Sequence, residues 1–511
     1  MNSSPYLAAS LDDVLAAAPL VVLSISALAA LLAIAFVKRK ATAAFATCAI
    51  GLALAIASSI ALSLPLMPRN IEDLLSMDGI SFVGTAIILG SSLAIALVSR
   101  PYLARREGER GEYYVLLLLA ALGASALAAS SSFATVFLGL ELLSVSLYAL
   151  VAYRRGDPVG TKAAFTYLIL ASTASAFLLF GMALAYFQTG SLELSRAAPS
   201  ALGGPMMAAA LAMMGVGFAF KLAVAPFHMW AMDVYEGAEA PTAALVATVS
   251  KAAMVIPLVR FLSPQLLAGG GAAASSAWIV AALSGASMIA GNLLALKEER
   301  VKRMLAGSSI AQVGYILVAL IAGSNGAQAA LFYLAAYSLS TLGAFACVAA
   351  ISRPDAAPAD AQAGPSDRPS GDARREDFRG LASRRPLVAA VMSASLLSLA
   401  GMPLTAGFIG KFLLFSAGVR AGAAARFLVV LLALNSALSI FYYLRLLSLM
   451  YRPADAARAD VPGGAAFARP AGSFLAGASL ALIGLAILAL GMDPGPVIGL
   501  ISTLVGPLAG R

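Results

Sequence analysis

Histidine occurs once and cysteine twice in 511 residues, and charged residues make up only 12% of the chain. Each scarcity excludes something. Cys48 and Cys347 stand far apart with no CxxC pair, so neither a zinc site nor an iron-sulfur cluster is signalled, and both read as small packing residues inside apolar runs. His228, in Pro-Phe-His-Met-Trp, has no second histidine to share a metal with, and reads first as a structural hydrogen-bonder. No GxGxxG follows a strand. The segment Thr405 to Phe412 superficially looks like a phosphate loop, but Thr405 takes the place of its first glycine and Phe412 that of the hydroxyl residue after the lysine. Nucleotide binding is therefore rejected, and no metal or cofactor is expected on this chain.

What is abundant is hydrocarbon. Hydrophobic residues reach 61%, against roughly 45–50% in a soluble domain. Apolar runs of about 20 residues recur along nearly the whole length, as a membrane bundle requires. The expected fold class is an all-α integral membrane protein with about fourteen transmembrane helices. The net charge of +9 sits mostly in short loops between apolar spans rather than on one soluble face, which speaks for membrane topology and against nucleic acid. Lys38, Arg39 and Lys40 follow the first apolar run, the reverse of a signal peptide. With the N-terminus outside, most of the 34 Lys and Arg fall in alternate, cytoplasmic loops, and both termini are predicted outside.

Two spans are too long for a straight crossing. Span 7, at 204–236, carries a break around Ala223 to Pro226, and span 12, at 386–418, one around Gly401 to Gly407. Span 8, at 240–262, reads as continuous. The single domain divides into 1–112 (three N-terminal helices), 113–262 (helices 4–8), 273–450 (helices 9–13) and 473–511 (helix 14 and tail). The two middle units each hold a broken helix and enter the bilayer from opposite faces, an arrangement of inverted repeats common in transporters. The polar stretch 353–385 reads as a mostly disordered cytoplasmic loop. The apolar segment 497–508 is too short to span.

The few charges inside spans carry the functional signal. Lys221, Lys251, Lys411 and Arg445 are the cations, and Glu141 is the one acid well within a span. A central charge costs about 2.5–3.5 kcal/mol on the insertion scale. Lys251 is too central in span 8 to snorkel to an interface, so it should face the bundle interior. Lys221 directly precedes one break and Lys411 directly follows the other, where freed carbonyls can solvate them. Glu141 is the natural ion-pair partner of Lys221, and a switchable pair is a proton switch; a static salt bridge is the competing structural reading. Arg445 holds its proton too firmly and should snorkel or pair. Asp233, Glu236 and Glu239 make an acidic loop suited to a proton mouth or to a subunit contact. Ser308, Ser309, Gln312 and Tyr315 suit a water wire or interhelical packing.

These residues resemble a known family, subunit N of bacterial NADH-quinone oxidoreductase (complex I), an antiporter-like membrane subunit. The resemblance rests on Leu140-Glu141-Leu142-Leu143-Ser144, Phe220-Lys221-Leu222, Pro226-Phe227-His228-Met229-Trp230, Asp233-Val234-Tyr235-Glu236-Gly237, Ser250-Lys251, the run Lys302 to Ile310, and Ala400-Gly401-Met402-Pro403 leading into Thr405 to Phe412. It implies fourteen helices with two inverted five-helix repeats and proton transfer on Glu141, Lys221, Lys251 and Lys411. It also implies the bacterial inner membrane and partner membrane subunits that include antiporter-like homologues. NADH, FMN, iron-sulfur clusters and quinone are expected on other subunits. Met232 departs from a frequent proline and Gln312 from a frequent histidine. A subunit of a multi-subunit sodium/proton antiporter is the alternative, and a non-transporting membrane scaffold the reading from another class.

Overall fold

The computed structural model describes residues 10–104, 111–194, 204–267, 271–322, 326–352, 373–453 and 473–506. Nearly all of them are helical, as a backbone in hydrocarbon must be to satisfy its own polar groups. A short α1 (Leu11–Ala16) leads into α2 (Ala18–Phe36) and α3 (Lys40–Ser58). A two-stranded hairpin, β1 (Arg69–Ile71) and β2 (Leu75–Met77), precedes α4 (Gly79–Leu103), α5 (Glu112–Ala128), α6 (Phe133–Val151) and α7 (Pro158–Thr189). Then follow α8 (Pro205–Leu222), α9 (Met229–Gly237), α10 (Ala240–Ala247), α11 (Val249–Leu267), α12 (Gly271–Lys297), α13 (Val301–Leu320) and α14 (Gly326–Ile351). The remainder comprises α15 (Leu381–Arg384), α16 (Pro386–Ala400), α17 (Ala406–Arg420), α18 (Ala423–Met450), α19 (Ser473–Met492) and α20 (Gly495–Val505).

Among the described residues, 12 helical stretches are long and apolar enough to cross a bilayer, and α5, α16 and α20 are shorter apolar helices. Burial sorts them. The stretch Ala240–Phe261 is buried throughout its apolar window and Val301–Leu320 is 94% buried, whereas Ala18–Phe36 is only 22% buried. The centre of the bundle is thus α10, α11 and α13, and these carry Lys251 and Gln312; α2 and α3 lie at the rim.

Both expected breaks are present. After Leu222 the backbone turns left-handed at Ala223 (φ +57°) and resumes as α9, while Trp230 Nε1 donates to the Phe220 carbonyl at 2.9 Å, which also accepts Ala223 N. After Ala400 the same turn is made at Gly401 (φ +83°) before α17. A third break was not expected. Span 8 is interrupted at Thr248, between α10 and α11, where the Thr248 hydroxyl donates to Ala244 O at 2.7 Å. The correction has a physical cause: the carbonyl of Ala247 accepts the Tyr337 hydroxyl at 2.9 Å, a bond from a neighbouring helix that satisfies an acceptor the local helix leaves free.

The expectation of disorder across 353–385 also needs correction for its end. Residues 353–372 lie outside the described residues, but Phe378 is fully buried, Val301 N donates to Ala373 O, and Arg375 N donates to Glu299 O, so residues 373–385 are docked on the start of α13. One buried aromatic ring supplies the apolar contact the composition of the loop does not advertise. The tail forms α20, whose Ile501 and Val505 are buried. Cys48 and Cys347 are fully buried, unpaired packing residues.

Candidate functional site: a buried polar chain

Lys221, Lys251 and Lys411 are 4%, 1% and 6% exposed, so none faces lipid. Lys221 Nζ donates to Ser144 Oγ at 2.6 Å and to Tyr148 OH at 3.3 Å, both on α6. It also lies 5.5 Å from the ring centres of Tyr148 and Tyr167, within reach of cation–π attraction. Lys251 Nζ donates to the carbonyl of Leu222, the last residue of α8. The acceptor freed by the first break is therefore held by Lys251 and not, as expected, by Lys221. Lys411 matches expectation, donating to Leu399 O and Ala400 O, both at 3.0 Å, on the far side of its own break, and to Ser436 Oγ at 2.8 Å.

Glu141 does not make the expected ion pair with Lys221. Its carboxylate accepts from Ser175 Oγ of α7 at 2.6 Å, and Ser144, one turn along α6, takes the lysine instead. Helix geometry is the reason: Leu138 and Val145, flanking Glu141 on α6, are 67% and 60% exposed, which turns Glu141 toward the rim while Ser144 points inward. Among the described residues none of the three lysines has a carboxylate within salt-bridge distance.

The lysines are joined by hydroxyls and amides that sequence reasoning largely missed. Tyr337 on α14, which donates to Ala247 O near Lys251, meets Ser309 Oγ of α13 at 2.7 Å, and Ser309 in turn meets Tyr235 at 3.1 Å. Three residues on, Gln312 accepts from the Tyr333 hydroxyl and donates to Leu399 O at 3.0 Å, the same carbonyl that accepts Lys411. Ser308 bonds Tyr443, which lies 3.4 Å from Gln312 Nε2. Beside this, Asn292 of α12 reaches Tyr315 at 3.3 Å, the Asn435 side chain at 3.1 Å and Tyr442 at 3.0 Å. Two asparagines deep in apolar spans were the available signal; the serines and tyrosines are too common in such spans to stand out.

The remaining candidates take lesser positions. Arg445 is exposed on α18, and His228 is half-buried with Nδ1 lacking a protein partner. The acidic loop is not open: Arg300 and Arg303 of the α13 start bind Glu236, Arg303 reaches Asp233 at 3.1 Å, and Lys302 Nζ donates to the Glu236 and Ala238 carbonyls at 2.6 and 2.9 Å. Glu236 thus belongs to a buried charge cluster, whereas the Asp233 side chain, paired with Arg303, remains 58% exposed. No group of three or more His, Cys, Asp or Glu among the described residues is arranged to hold a metal.

A chain of buried lysines, hydroxyls and amides across a helical bundle is suited to relaying protons. Comparison with known proteins agrees on lineage. The family profile described as NADH:quinone oxidoreductase/Mrp antiporter, TM, matches residues 130–439. NADH-quinone oxidoreductase subunit N of Ectopseudomonas mendocina is 38% identical over 502 residues, 96% of each chain. The structure of respiratory complex I from Thermus thermophilus with bound aureothin contains a chain 36% identical, superposing with a TM-score of 0.77 over 94% of this chain and 98% of that one. The Mrp complex from Dietzia superposes with a TM-score of 0.79 over 97% and 98%, but at 21% identity it speaks for the fold alone. The chain therefore belongs to the NADH:quinone oxidoreductase/Mrp antiporter transmembrane family and, within it, to the subunit N proteins of NADH-quinone oxidoreductase.

Proposed function

We infer that this chain is a proton-translocating membrane subunit of NADH-quinone oxidoreductase in the bacterial inner membrane, coupling quinone reduction on other subunits to proton movement through Glu141, Lys221, Lys251 and Lys411. The observation that carries the reading is Leu399 O: Lys411 and Gln312 share this carbonyl, Gln312 reaches Tyr443 and through it Ser308, and the next residue of α13, Ser309, bonds Tyr337, which donates to Ala247 O beside the Lys251 helix. Ammonium and neutral amine can both be held by the same oxygen acceptors, so a proton can arrive and leave without refolding the site. Glu141, bonded to Ser175 while Lys221 bonds Ser144, biases that lysine through space rather than by contact. Broken helices at three levels of the chain are the elements able to take two arrangements.

The finer architecture follows the same reading. We take α5 and the α16–α17 pair as two further crossings, making fourteen, with both termini outside and the Arg300–Arg303 end cytoplasmic. Helices α5 to α11 and α12 to α18 form two inverted repeats. Supporting this, Gly123 and Gly139 let α5 and α6 touch backbone to backbone, and Gly291 and Gly307 do the same for α12 and α13. Partners are the other membrane subunits of the complex, including antiporter-like homologues.

The test is proton uptake by inverted membrane vesicles driven by NADH. Lys251→Ala and Glu141→Ala, in complex that still assembles and oxidises NADH, are expected to lower uptake at least several-fold. Full-strength pumping in both would leave only a scaffold. Sodium flux in vesicles lacking the NADH dehydrogenase partners would favour the antiporter alternative.

A further inference from the structure

Of the acidic residues Asp233, Glu236 and Glu239, only Glu239 lies beyond α9. It is 6% exposed, and although it occupies the N-cap of α10 its side chain caps nothing; its carboxylate accepts the hydroxyl of Tyr102 on α4. Tyr113 of α5 and Thr242 of α10 are fully buried, and by geometry neither hydroxyl has a protein hydrogen-bond partner. On α14, Ser338 and Thr341 are 2% and 3% exposed, again with hydroxyls unmatched by protein, and Thr341 lies one turn from Tyr337, which bonds Ala247 O at the foot of the Lys251 helix. Along α10 and α11, Glu239 and Lys251 are about 18 Å apart at 1.5 Å per residue.

Buried hydroxyls are ordinarily bonded to protein or to ordered water. A row of them without protein acceptors, between a buried carboxylate and a buried lysine, is lined for water. We propose that Glu239 is the intake carboxylate for Lys251, fed from the basic end of the molecule and connected by a hydroxyl-lined path between α4, α5, α10 and α14. This rests on the proton-translocating reading and adds its point of uptake. A proton binds the Glu239 carboxylate, passes along Tyr102, Tyr113, Thr242 and the α14 hydroxyls by exchange through water, and ends on the Lys251 amine, leaving Glu239 a carboxylate again. Lys302, bonded to Ala238 O, and the arginines on Glu236 face the same corner. They hold the loop closed.

The experiment uses assembled complex in inverted vesicles, with proton uptake measured per NADH oxidised from pH 6 to 8.5. Glu239→Gln is expected to lower uptake at least threefold, with the deficit growing as pH rises, because a path without its collecting carboxylate depends more on the bulk proton concentration. Glu239→Asp is expected to restore most of it and to shift the pH profile. A residue with only a packing role would give a deficit flat in pH that Asp does not rescue, and that result overturns the proposal, as does wild-type uptake in Glu239→Gln. If Glu239→Gln does not assemble, Thr242→Val carries the test, with the same rising deficit expected and wild-type behaviour overturning it. Lys251→Ala run in parallel separates the two inferences: its loss with an unaffected Glu239→Gln removes the intake role alone, while full pumping by Lys251→Ala removes the proton reading itself.

Discussion

Charge inside an apolar span is costly enough to be read directly, which is why Lys221, Lys251 and Lys411 were legible from the chain and are all buried. Their partners were not. Ser144 and Ser146 are equally polar to the eye, yet the first holds Lys221 and the second only bonds Leu142 O of its own helix at 2.8 Å. Gln312 shows how much one side chain decides, since it joins Tyr333, Leu399 O and Tyr443 between the two lysine-bearing halves. Gln312→Leu, close in volume, is expected to leave the Tyr333 hydroxyl buried and unmatched, at about 1–3 kcal/mol, and to lower proton uptake several-fold in assembled complex. Gln312→His, which keeps a donor and an acceptor, is expected to recover much of it; vesicle uptake assays on both variants check this.

Breaks in helices were legible where proline or glycine marks them. Pro226 follows the first, and Gly401 makes the second at φ +83°, where a Cβ would come within 2.8 Å of the Lys411 side chain. The break at Thr248 has no such marker, because a tyrosine from another helix stabilises it. Close helix crossings are equally silent in sequence. A Cβ at Gly307 would stand 2.8 Å from the Ala295 backbone nitrogen, and one at Gly139 would stand 2.9 Å from that of Leu127, so both helix pairs meet without room for a methyl group. Gly307→Ala must part α12 from α13 and is expected to destabilise by about 1–3 kcal/mol. A lower midpoint in thermal unfolding of the purified complex, with Gly477→Ala as a control at an open position, would register it.

The orientation we propose from the basic loops is open to a chemical check. Cys48 and Cys347 are fully buried, so the native background is low. A membrane-impermeant maleimide applied to the cytoplasmic side is expected to label Arg155→Cys, in the exposed turn between α6 and α7, and to spare Asp12→Cys, exposed ahead of α2. The opposite pattern would invert the topology. The sequence by itself determined that this chain lives in a membrane, where its long spans break beside lysines, and that Lys221, Lys251 and Lys411 lie buried, because hydrocarbon penalises every charge and every unsatisfied backbone group it meets. Only the tertiary structure decided which helices sit at the centre, that Ser144 rather than Glu141 receives Lys221, that Leu222 receives Lys251, and that Glu239 turns toward Tyr102. Those choices depend on which way each helix is rotated and what packs across from it, and hydropathy, blind to direction around a buried helix, carries no record of either.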